Sequence, residues 1–394
     1  MSFYELQAPT AWAEPPSIWS STSIDDIEAC PRRWQLLRSR WGDFARFPVR
    51  PHPAAIEGQI VHEALDRLTR ACGQRGNPPF GGPEFAAALK DADFFPGFAR
   101  AVAEWQKRLT AHPRPGPAFR LRTSAEDLTN RAVRLFRAQY KPNSHVSLHG
   151  QASQHAFAAA GDGADGADLN VLLAQRGALS EVKLTHPELP FLGVLDRVQL
   201  SGDSIEIVDF KIGKPSEKHR RQLVRYALLW WRATRAAPTR ISAQYLHGTE
   251  SWSVSTSDLL ATERALRLEL PLLQGMLRER PARAMPSDLC RSCAVRARCD
   301  AGWHRAEEAA LVDGQGDAEL LVASPPQPHG FMASADAGRS IAVVHASSVA
   351  PLLPALTVGQ RIRVLDGGWQ EKRTRLEIKP WTEVYHIASP SPSA

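Results

Sequence analysis

Hydrophobic residues in the first part of the chain recur at the spacing of amphipathic helices. The clearest stripe lies between residues 56 and 72 and is formed by Ile56, Ile60, Ala64, Leu68 and Cys72. His62 lies off that stripe. Upstream, Ser23 is the predicted N-cap of a helix that continues through Cys30, because acidic residues follow it in the first turn. Residues 73–140 indicate further helices, interrupted by Pro and Gly.

The period then shortens to the alternation of β-strands. The predicted strands are 169–184, 190–200, 204–212, 241–247 and 251–255. The turn sequence Ser201-Gly202-Asp203-Ser204 joins the second and third of them as a tight hairpin. Helices are predicted at about 217–235 and 257–280, and a flexible loop at 158–168. This order of helices and strands is typical of an α/β fold with a mixed central sheet.

Short alternating segments with turn signals between them occupy residues 318–388, which predicts a small OB-like β-barrel. The predicted divisions are an N-terminal extension (1–20), a large α/β domain (21–308), this small β-domain (318–388) and a disordered tail (389–394). Barrels of this type bind single strands through aromatic and basic side chains. The candidates are Trp369, Lys372, Arg373, Arg375 and Trp381. A barrel used for packing or for a protein contact is the alternative.

Composition indicates a globular protein, because 43% of the 394 residues are hydrophobic and 23% are charged. The net charge of +6 comes mostly from arginine, which suits a polyanionic partner, although a solvated basic surface gives the same balance. No apolar run reaches the roughly 18 residues of a membrane span. The N-terminal residues do not resemble a secretory signal, so a cytoplasmic location is expected. There, five cysteines favour metal or redox chemistry over structural disulfides.

A carboxylate and a lysine share one face of the predicted third strand, where Asp209 and Lys211 follow two isoleucines with period two. The hairpin brings Asp196 of the preceding strand close to Asp209. Two carboxylates in an apolar setting repel each other unless they are protonated or bridged by a cation. Oxygen ligands of this kind suit magnesium or manganese, and Lys211 would then orient or deprotonate an attacking water. The alternative is a surface ion pair between Asp209 and Lys211.

These residues resemble a known family. Gly193-x-x-Asp196 and Asp209-Phe210-Lys211 are similar to the motifs of PD-(D/E)XK nucleases, specifically the RecB-like branch that includes the CRISPR adaptation nucleases. That branch carries a histidine on an N-terminal helix, matched by His62. It also carries a glutamine and a tyrosine four residues apart, matched by Gln222 and Tyr226. The resemblance covers roughly residues 20–305 and implies a restriction-endonuclease-like core with a helical insertion.

The resemblance implies roles for the matching residues. The implied metal ligands are His62, Asp196, Asp209 and the carbonyl oxygen of Phe210. Lys211 would be the catalytic lysine, and Gln222 and Tyr226 would steady the site or contact DNA. Packing on the helix surface is the alternative for that pair, which lies on one helix face at i and i+4. Glu181 could support the metal ligands, but an exposed strand charge is the favoured interpretation.

Four cysteines form a second candidate site. Cys290-x2-Cys293-x5-Cys299 is compact, Cys30 lies far upstream, and four thiolates can hold an iron–sulfur cluster or a tetrahedral zinc. The split of one cysteine before the nuclease motifs and three after resembles the RecB-like nucleases that bind a [4Fe–4S] cluster. Its expected role is structural, because it would tie the first helix to the end of the nuclease domain. Cys72, on the apolar stripe, is expected to be a buried hydrophobic residue.

The sequence as a whole predicts a magnesium- or manganese-dependent nuclease that hydrolyses DNA, preferring single strands or ends. DNA repair, recombination, CRISPR adaptation and antiphage defence are the expected settings. The chain has no Gly-x4-Gly-Lys-Ser/Thr phosphate loop, so any unwinding would require a helicase partner. The alternatives are a catalytically quiet or partner-activated DNA-binding subunit of a larger helicase or defence complex, and a nuclease stabilised by zinc.

Overall fold

The computed structural model of this chain describes residues 5–50, 53–110, 112, 114, 121, 123–140, 166–202, 204–211, 214–245, 248–308, 314–335, 338–346 and 355–387. The described helices are α1 (Ser21–Ala29), α2 (Pro31–Arg38), α3 (Pro53–Gln74), α4 (Pro83–Asp91), α5 (Phe94–Thr110), α6 (Ala125–Gln139), α7 (Gly166–Arg176), α8 (Glu217–Thr234), α9 (Thr256–Met276) and α10 (Asp300–Glu308). None of the helices in these ranges is long and apolar enough to cross a membrane.

The described strands form two sheets. They are β1 (Glu5–Leu6), β2 (Ala178–Thr185), β3 (Leu192–Ser201), β4 (Ser204–Lys211), β5 (Arg240–Tyr245), β6 (Gly248–Ser253), β7 (Gly314–Val322), β8 (Gly330–Ser334), β9 (Ser340–His345), β10 (Arg361–Gln370), β11 (Arg375–Ile378) and β12 (Glu383–Ile387). The first sheet has the order β2-β3-β4-β5-β6, and the second contains β1 and β7–β12.

The helix α1 begins three residues earlier than predicted. Ser20, not Ser23, is its N-cap: the Ser20 hydroxyl accepts the N–H of Ser23, and the Ser23 hydroxyl accepts the N–H of Ser20. Two serines thus replace the usual serine and glutamate of a capping box. Cys30 ends α1 and is also the N-cap of α2, which Pro31 begins. This double role fixes the position of the Cys30 sulfur relative to both helices.

The central sheet is mixed, as predicted. The strand pairs β2–β3, β3–β4 and β5–β6 are antiparallel, and β4–β5 is parallel. Helices α8 and α9 share one hydrophobic cluster with the sheet. Helices α3 to α6 form a second cluster, which includes Phe210 of β4 and therefore lies against the other face. The sheet is thus covered by helices on both sides, and β4 contacts both layers.

The predicted strand 169–184 is wrong over its first half. Residues Gly166–Arg176 form α7, and β2 begins at Ala178 after Gly177, whose φ is +70°. Leu169 and Leu173 are both buried against the core, which is the i, i+4 spacing of a helix. A short apolar segment fits either period, and its packing decides between them here. Most of the predicted loop 158–168 lies outside the described residues.

The second sheet closes into a barrel. Strand β10 pairs with β7 as well as with β11, so β7-β8-β9-β11-β10 form a ring of five strands, with β9 and β11 parallel. This ring fits the OB-like barrel that the sequence predicts. The N-terminal strand β1 joins it by parallel pairing with β12. Trp369 is only 3% exposed and belongs to the barrel core, so the prediction that it stacks on nucleic acid is wrong.

A buried ion pair joins the barrel to the rest of the chain. Arg114 donates two hydrogen bonds to the Glu383 carboxylate, both at 2.9 Å, with each side chain at most 2% exposed. The same guanidinium also donates to the carbonyls of Pro48 and Ala294. Burial alone would raise the pKa of Glu383, but Arg114 and then Arg50 lower it overall. The carboxylate is therefore ionised, and its stabilising effect is lost only as the pH falls through this lowered pKa.

The segment between two of the candidate cysteines forms a second part of this interface. Arg296 donates to Asp317 at 2.6 and 3.0 Å and to Asp366 at 2.8 Å, and both acids lie in the barrel. In the reverse direction, Arg363 of β10 donates to the carbonyl of Ala297 at 2.7 Å and to Asp300 at 2.8 Å. The barrel is thus held by arginines from both sides.

Replacing the buried glutamate tests this interface. We expect Glu383→Gln to lower the free energy of unfolding by about 3–5 kcal/mol, because it leaves the buried Arg114 without a counter-charge, while Arg50 keeps its ion pair with Asp366. Urea denaturation followed by tryptophan fluorescence would measure the loss. The matched control is Glu371→Gln, since the Glu371 side chain is 63% exposed and its ion pair with Arg375 is 3.4 Å long. It should cost less than about 1 kcal/mol. Equal effects of the two changes would contradict the assignment.

Candidate active site

The site begins where two strands of the sheet separate. The backbone pairing between β3 and β4 ends at Arg197 and Val208. Beyond that pair, the N–H of Phe210 donates to the carboxylate of Asp196 at 2.8 Å instead of to a backbone carbonyl. Asp196 therefore occupies the gap between the strands, and Asp209 lies next to Phe210 on β4. The structure brings the two predicted carboxylates to the same edge of the hairpin.

Glu181 joins them from the neighbouring strand. In the register of β2 and β3 it lies opposite Asp196, between the pairs Ser180–Arg197 and Val182–Leu195. One ligand atom from each of His62, Glu181 and Asp196 lies within 4.8 Å of the others, and these three form the candidate metal-binding group of the described chain. Glu181 is exposed, as the sequence suggested, yet it faces this group. Register was the missing signal, because an antiparallel pairing of β2 with β3 places residue 181 opposite 196.

The backbone at Glu181 has a left-handed conformation, with φ = +50°. A glutamate seldom adopts this region, and such strain is concentrated at functional sites. At the same point the alternation of buried and exposed residues along β2 and β3 is interrupted. Leu179 and Val182 of β2 are both buried in the α8 cluster although they are three residues apart, and so are Leu195 and Val198 of β3. The irregularity removes Glu181 and Asp196 from the alternation and turns both carboxylates toward His62.

His62 reaches the site from α3. Its Nε2 lies 2.8 Å from the carbonyl oxygen of Phe210, and its Nδ1 lies 3.5 Å from the Asp196 carboxylate. Burial lowers the pKa of His62, so the ring is neutral near pH 7 and keeps a lone pair for a metal ion. The off-stripe position of His62 on the helix explains its orientation, because the stripe itself faces the helical layer.

Burial and mutual repulsion govern the carboxylates. Burial raises the pKa of Asp196 well above its ordinary value, and the charge of Asp209 raises it further. The carboxyl group of Glu181 is partly desolvated although the residue as a whole is exposed, and this desolvation raises its pKa. Carboxyl groups with raised pKa values exchange their protons readily for a bound cation, which removes the repulsion. The electrostatics of the group therefore favour a divalent metal ion, and its oxygen-rich donor set suits magnesium or manganese.

Lys211 is held by a chain of polar contacts. Its Nζ lies 2.5 Å from Oδ2 of Asp209, which is 2% exposed, and donates to Oε1 of Gln222 at 2.8 Å. The amide of Gln222 donates in turn to the Tyr226 hydroxyl at 2.7 Å. Tyr226 also packs in the core, so site contact and helix packing are both present at this residue. Asp209, paired with Lys211, lies outside the close group of His62, Glu181 and Asp196.

The four candidate cysteines line one pocket, which lies between the junction of α1 with α2 and the segment after α9. Each sulfur accepts a backbone N–H: Cys30 from Arg33, Cys290 from Ser287, Cys293 from Val295 and Cys299 from Gly302. A Cβ atom on Gly302 would lie 3.5 Å from the Cys299 sulfur and 3.7 Å from the Cys290 sulfur, so a side chain there would enter the space between them. N–H donors directed at sulfur stabilise thiolate ligands.

The spacing of these sulfurs differs from that of a zinc site. Tetrahedral zinc with Zn–S bonds of about 2.3 Å brings its sulfurs to about 3.8 Å from one another. In the described part of the chain, no three cysteine sulfurs lie within 4.8 Å of one another. Cys72 is fully buried in the helical layer, and burial raises the pKa of its thiol to about 11. It takes no part in the pocket.

Comparison with known proteins decides the family. The sequence model of the PD-(D/E)XK nuclease superfamily matches residues 18–300. This chain belongs to the PD-(D/E)XK nuclease superfamily. The match begins just before α1 and ends at the residue after Cys299, so this superfamily domain includes both candidate sites. No curated protein matches the chain.

Three solved structures show limited similarity to parts of this nuclease-superfamily chain. The OB domain of a Methanosarcina mazei protein is 12% identical over 21% of this chain and 81% of its own, with a TM-score of 0.17. The tetrameric p202 HIN2 is 14% identical over 19% of this chain and 40% of its own, with a TM-score of 0.15. A murine DNA-binding protein bound to double-stranded DNA is 10% identical over 55% of this chain and 97% of its own, with a TM-score of 0.18. The description of the barrel rests on its strand order, not on these similarities.

The glycine of the superfamily motif has a packing role that can be tested. A Cβ atom on Gly193 would lie 2.8 Å from the ring of Tyr226 and 2.8 Å from Leu229, so Gly193→Ala must displace the tyrosine. We expect a loss of about 1–3 kcal/mol in the free energy of unfolding. The control is Gly275→Ala in α9, where a Cβ atom meets nothing within 4 Å. It should be neutral or stabilising by up to about 1 kcal/mol. Thermal melting would compare the two, and an unperturbed Gly193→Ala protein would refute this contact.

Proposed function

We propose that the chain is a divalent-metal-dependent deoxyribonuclease. The observation that carries the proposal is the convergence of His62, Glu181 and Asp196 within 4.8 Å, beside a lysine held in place by Gln222. Membership of the PD-(D/E)XK nuclease superfamily supports phosphodiester hydrolysis. The net charge of +6 supports a nucleic-acid substrate, and single-stranded DNA or DNA ends are the proposed form.

The metal would be held by His62, Glu181 and Asp196, with the Phe210 carbonyl beside them. When bound, Mg²⁺ or Mn²⁺ would supply Lewis-acid stabilisation of the charge that develops on the phosphate. The hydrogen bond between His62 Nε2 and the Phe210 carbonyl orients the ring and leaves Nδ1, which lies 3.5 Å from the Asp196 carboxylate, as the nitrogen that would bind the metal. Asp209 would remain close to this group and act chiefly through Lys211, its nearest cation.

Lys211 would act on the attacking water. Its three N–H donors can serve Asp209, Gln222 and one further oxygen, so two contacts fix the ammonium group while the third is directed at the water or the phosphate. Gln222 and Tyr226 are positioning residues, because they act on the reacting atoms only through Lys211. General acid–base assistance of this kind contributes about 10²- to 10⁴-fold to a rate.

The cysteine pocket is proposed to hold a [4Fe–4S] cluster. The spacing of the sulfurs, no three of which lie within 4.8 Å of one another in the described part of the chain, supports this assignment over zinc. The N–H donor directed at each sulfur suits thiolate ligands of either metal. In such a cluster the thiolates bind four different iron atoms and therefore stand farther apart than around one zinc ion. The proposed role is structural, since Cys30 lies between α1 and α2 and the other three cysteines lie after α9.

The nuclease proposal is tested by changing the lysine. We expect Lys211→Ala to reduce cleavage of labelled DNA in Mn²⁺ by about 100-fold or more, because the water and the phosphate lose the ammonium donor that orients them. Lys107→Ala, on the exposed face of α5, is the control and should cleave at the normal rate. EDTA should abolish cleavage by the unmodified protein, and added Mn²⁺ should restore it. Undiminished cleavage by Lys211→Ala would overturn the mechanism.

The cluster proposal is tested by comparing two cysteine substitutions, one inside the pocket and one outside it. Anaerobically purified protein should contain iron and absorb near about 400 nm through sulfur-to-iron charge transfer. We expect Cys30→Ala to lose most of both signals and Cys72→Ala to keep them, since Cys72 lies in the helical layer. Iron analysis and absorbance are independent of nuclease activity. A colourless protein that contains zinc would exclude the iron–sulfur assignment.

A further inference from the structure

A histidine outside the sequence motifs lies beside Lys211. Tyr245 ends β5 and is the direct neighbour of Lys211 in the parallel pairing of β4 with β5. The hydroxyl of Tyr245 lies 2.8 Å from Nδ1 of His219, and the two rings have centroids 5.7 Å apart. Lys211 is thus flanked by Gln222 of α8 on one side and by the tyrosine that holds His219 on the other.

The position of His219 on its helix points the same way. Residues 219, 222 and 226 have the i, i+3, i+7 spacing of one helix face, and that face carries Gln222 and Tyr226 into the site. The charges of Lys211 and Asp209 both act on the imidazole, which places it close to the reacting groups. His219 is partly exposed, as Gln222 is, whereas Tyr226 is buried, so His219 can contact a bound substrate.

The hydrogen bonds of Tyr245 favour the tautomer of His219 that carries its proton on Nε2. The hydroxyl oxygen accepts the backbone N–H of Ser216, so its single proton is available for Nδ1 of His219. In the neutral ring the proton then lies on Nε2. Burial, followed by the charge of Lys211, lowers the pKa of His219, which keeps the ring neutral near pH 7. Among the described residues, Nε2 has no hydrogen-bond partner, and it presents a donor of fixed orientation.

We propose that His219 binds a phosphate of the substrate strand, donating its Nε2–H to a phosphate oxygen next to the bond that is cut. The proposal rests on the proposed function, since it names a substrate contact of the same site. A donor flanking Lys211 suits an anionic oxygen. The competing explanation is that the bond between His219 and Tyr245 only attaches α8 to β5.

Two conservative substitutions separate these explanations. His219→Gln places an amide N–H donor near the position of Nε2 but removes the acceptor at Nδ1. His219→Asn keeps an acceptor near Nδ1 for the Tyr245 hydroxyl and removes the outer donor. A phosphate contact therefore predicts that the glutamine variant keeps its affinity for DNA. A purely structural bond predicts that the asparagine variant does so instead.

The readout is the Kd for a fluorescein-labelled single-stranded oligonucleotide, measured by anisotropy with EDTA so that no cleavage occurs. We expect His219→Ala and His219→Asn to raise the Kd about tenfold, the effect of losing one hydrogen bond to a charged group, and His219→Gln to raise it less than about threefold. His304→Ala, an exposed histidine on α10, is the control and should leave the Kd unchanged. Melting temperatures identify any variant that is misfolded.

Cleavage in Mn²⁺ is measured on the same proteins, so the two proposals fail separately. If the unmodified protein cleaves DNA and His219→Asn binds as tightly as it does, the phosphate contact is overturned and the nuclease stands. If the unmodified protein binds DNA with the expected variant pattern but never cleaves it, the nuclease proposal is overturned and the contact stands. A protein that does not bind the oligonucleotide overturns both.

Discussion

Where β3 and β4 separate, the side chain of Asp196 takes the place of a backbone acceptor and binds the N–H of Phe210. This substitution satisfies a backbone donor that the end of the ladder would otherwise leave unpaired. It also fixes the carboxylate at the sheet edge and leaves the Phe210 carbonyl free to face His62. Every other group of the site is placed relative to this one contact, because Glu181 lies opposite Asp196 and Asp209 precedes Phe210.

The second constraint joins α2 to the segment that follows α9. Gln35 of α2 is fully buried and bonds the carbonyls of Leu277 and Glu279 and the N–H of Ala282, so α2 is attached to the segment after α9 without any bound group. The cysteine pocket lies beside this contact. Since Arg296 lies between Cys293 and Cys299 and binds barrel carboxylates, the backbone around the cysteines also determines where the barrel sits.

Sequence periodicity was sufficient for the parts of the site that lie on one element. The alternation of β4 places Asp209 beside Lys211, and the helical spacing of α8 places Gln222 near Tyr226; the structure brings both pairs together. The sequence favoured an exposed strand charge for Glu181, because its place beside the site depends on strand register and on a strained backbone, which no local pattern encodes. The interface of Arg114 with Glu383 joins residues 269 apart in sequence, so only the folded chain shows it.

The same limit explains the errors. Trp369 alternates correctly for a strand, but which face of that strand lies inside depends on whether the barrel closes, and β10 closes it by pairing with β7. Leu169 and Leu173 fit two periods over a short segment, and their burial selects the helix. In each case the local pattern was compatible with both outcomes, and long-range packing decided between them.

Helix α8 shows how one element can serve the core and the site together. Leu223 and Leu229 anchor it in the hydrophobic cluster, while His219 and Gln222 reach the polar groups around Lys211. The buried carboxylate of Asp209 and the partly buried ammonium group of Lys211 reduce the stability of the fold. Such groups persist only where the packing around them holds them in place. Close contact between Gly193 and Tyr226 supplies that packing, because it leaves the helix no room to shift against β3. Gly193 therefore fixes the distance between the helix and the sheet on which the proposed chemistry depends.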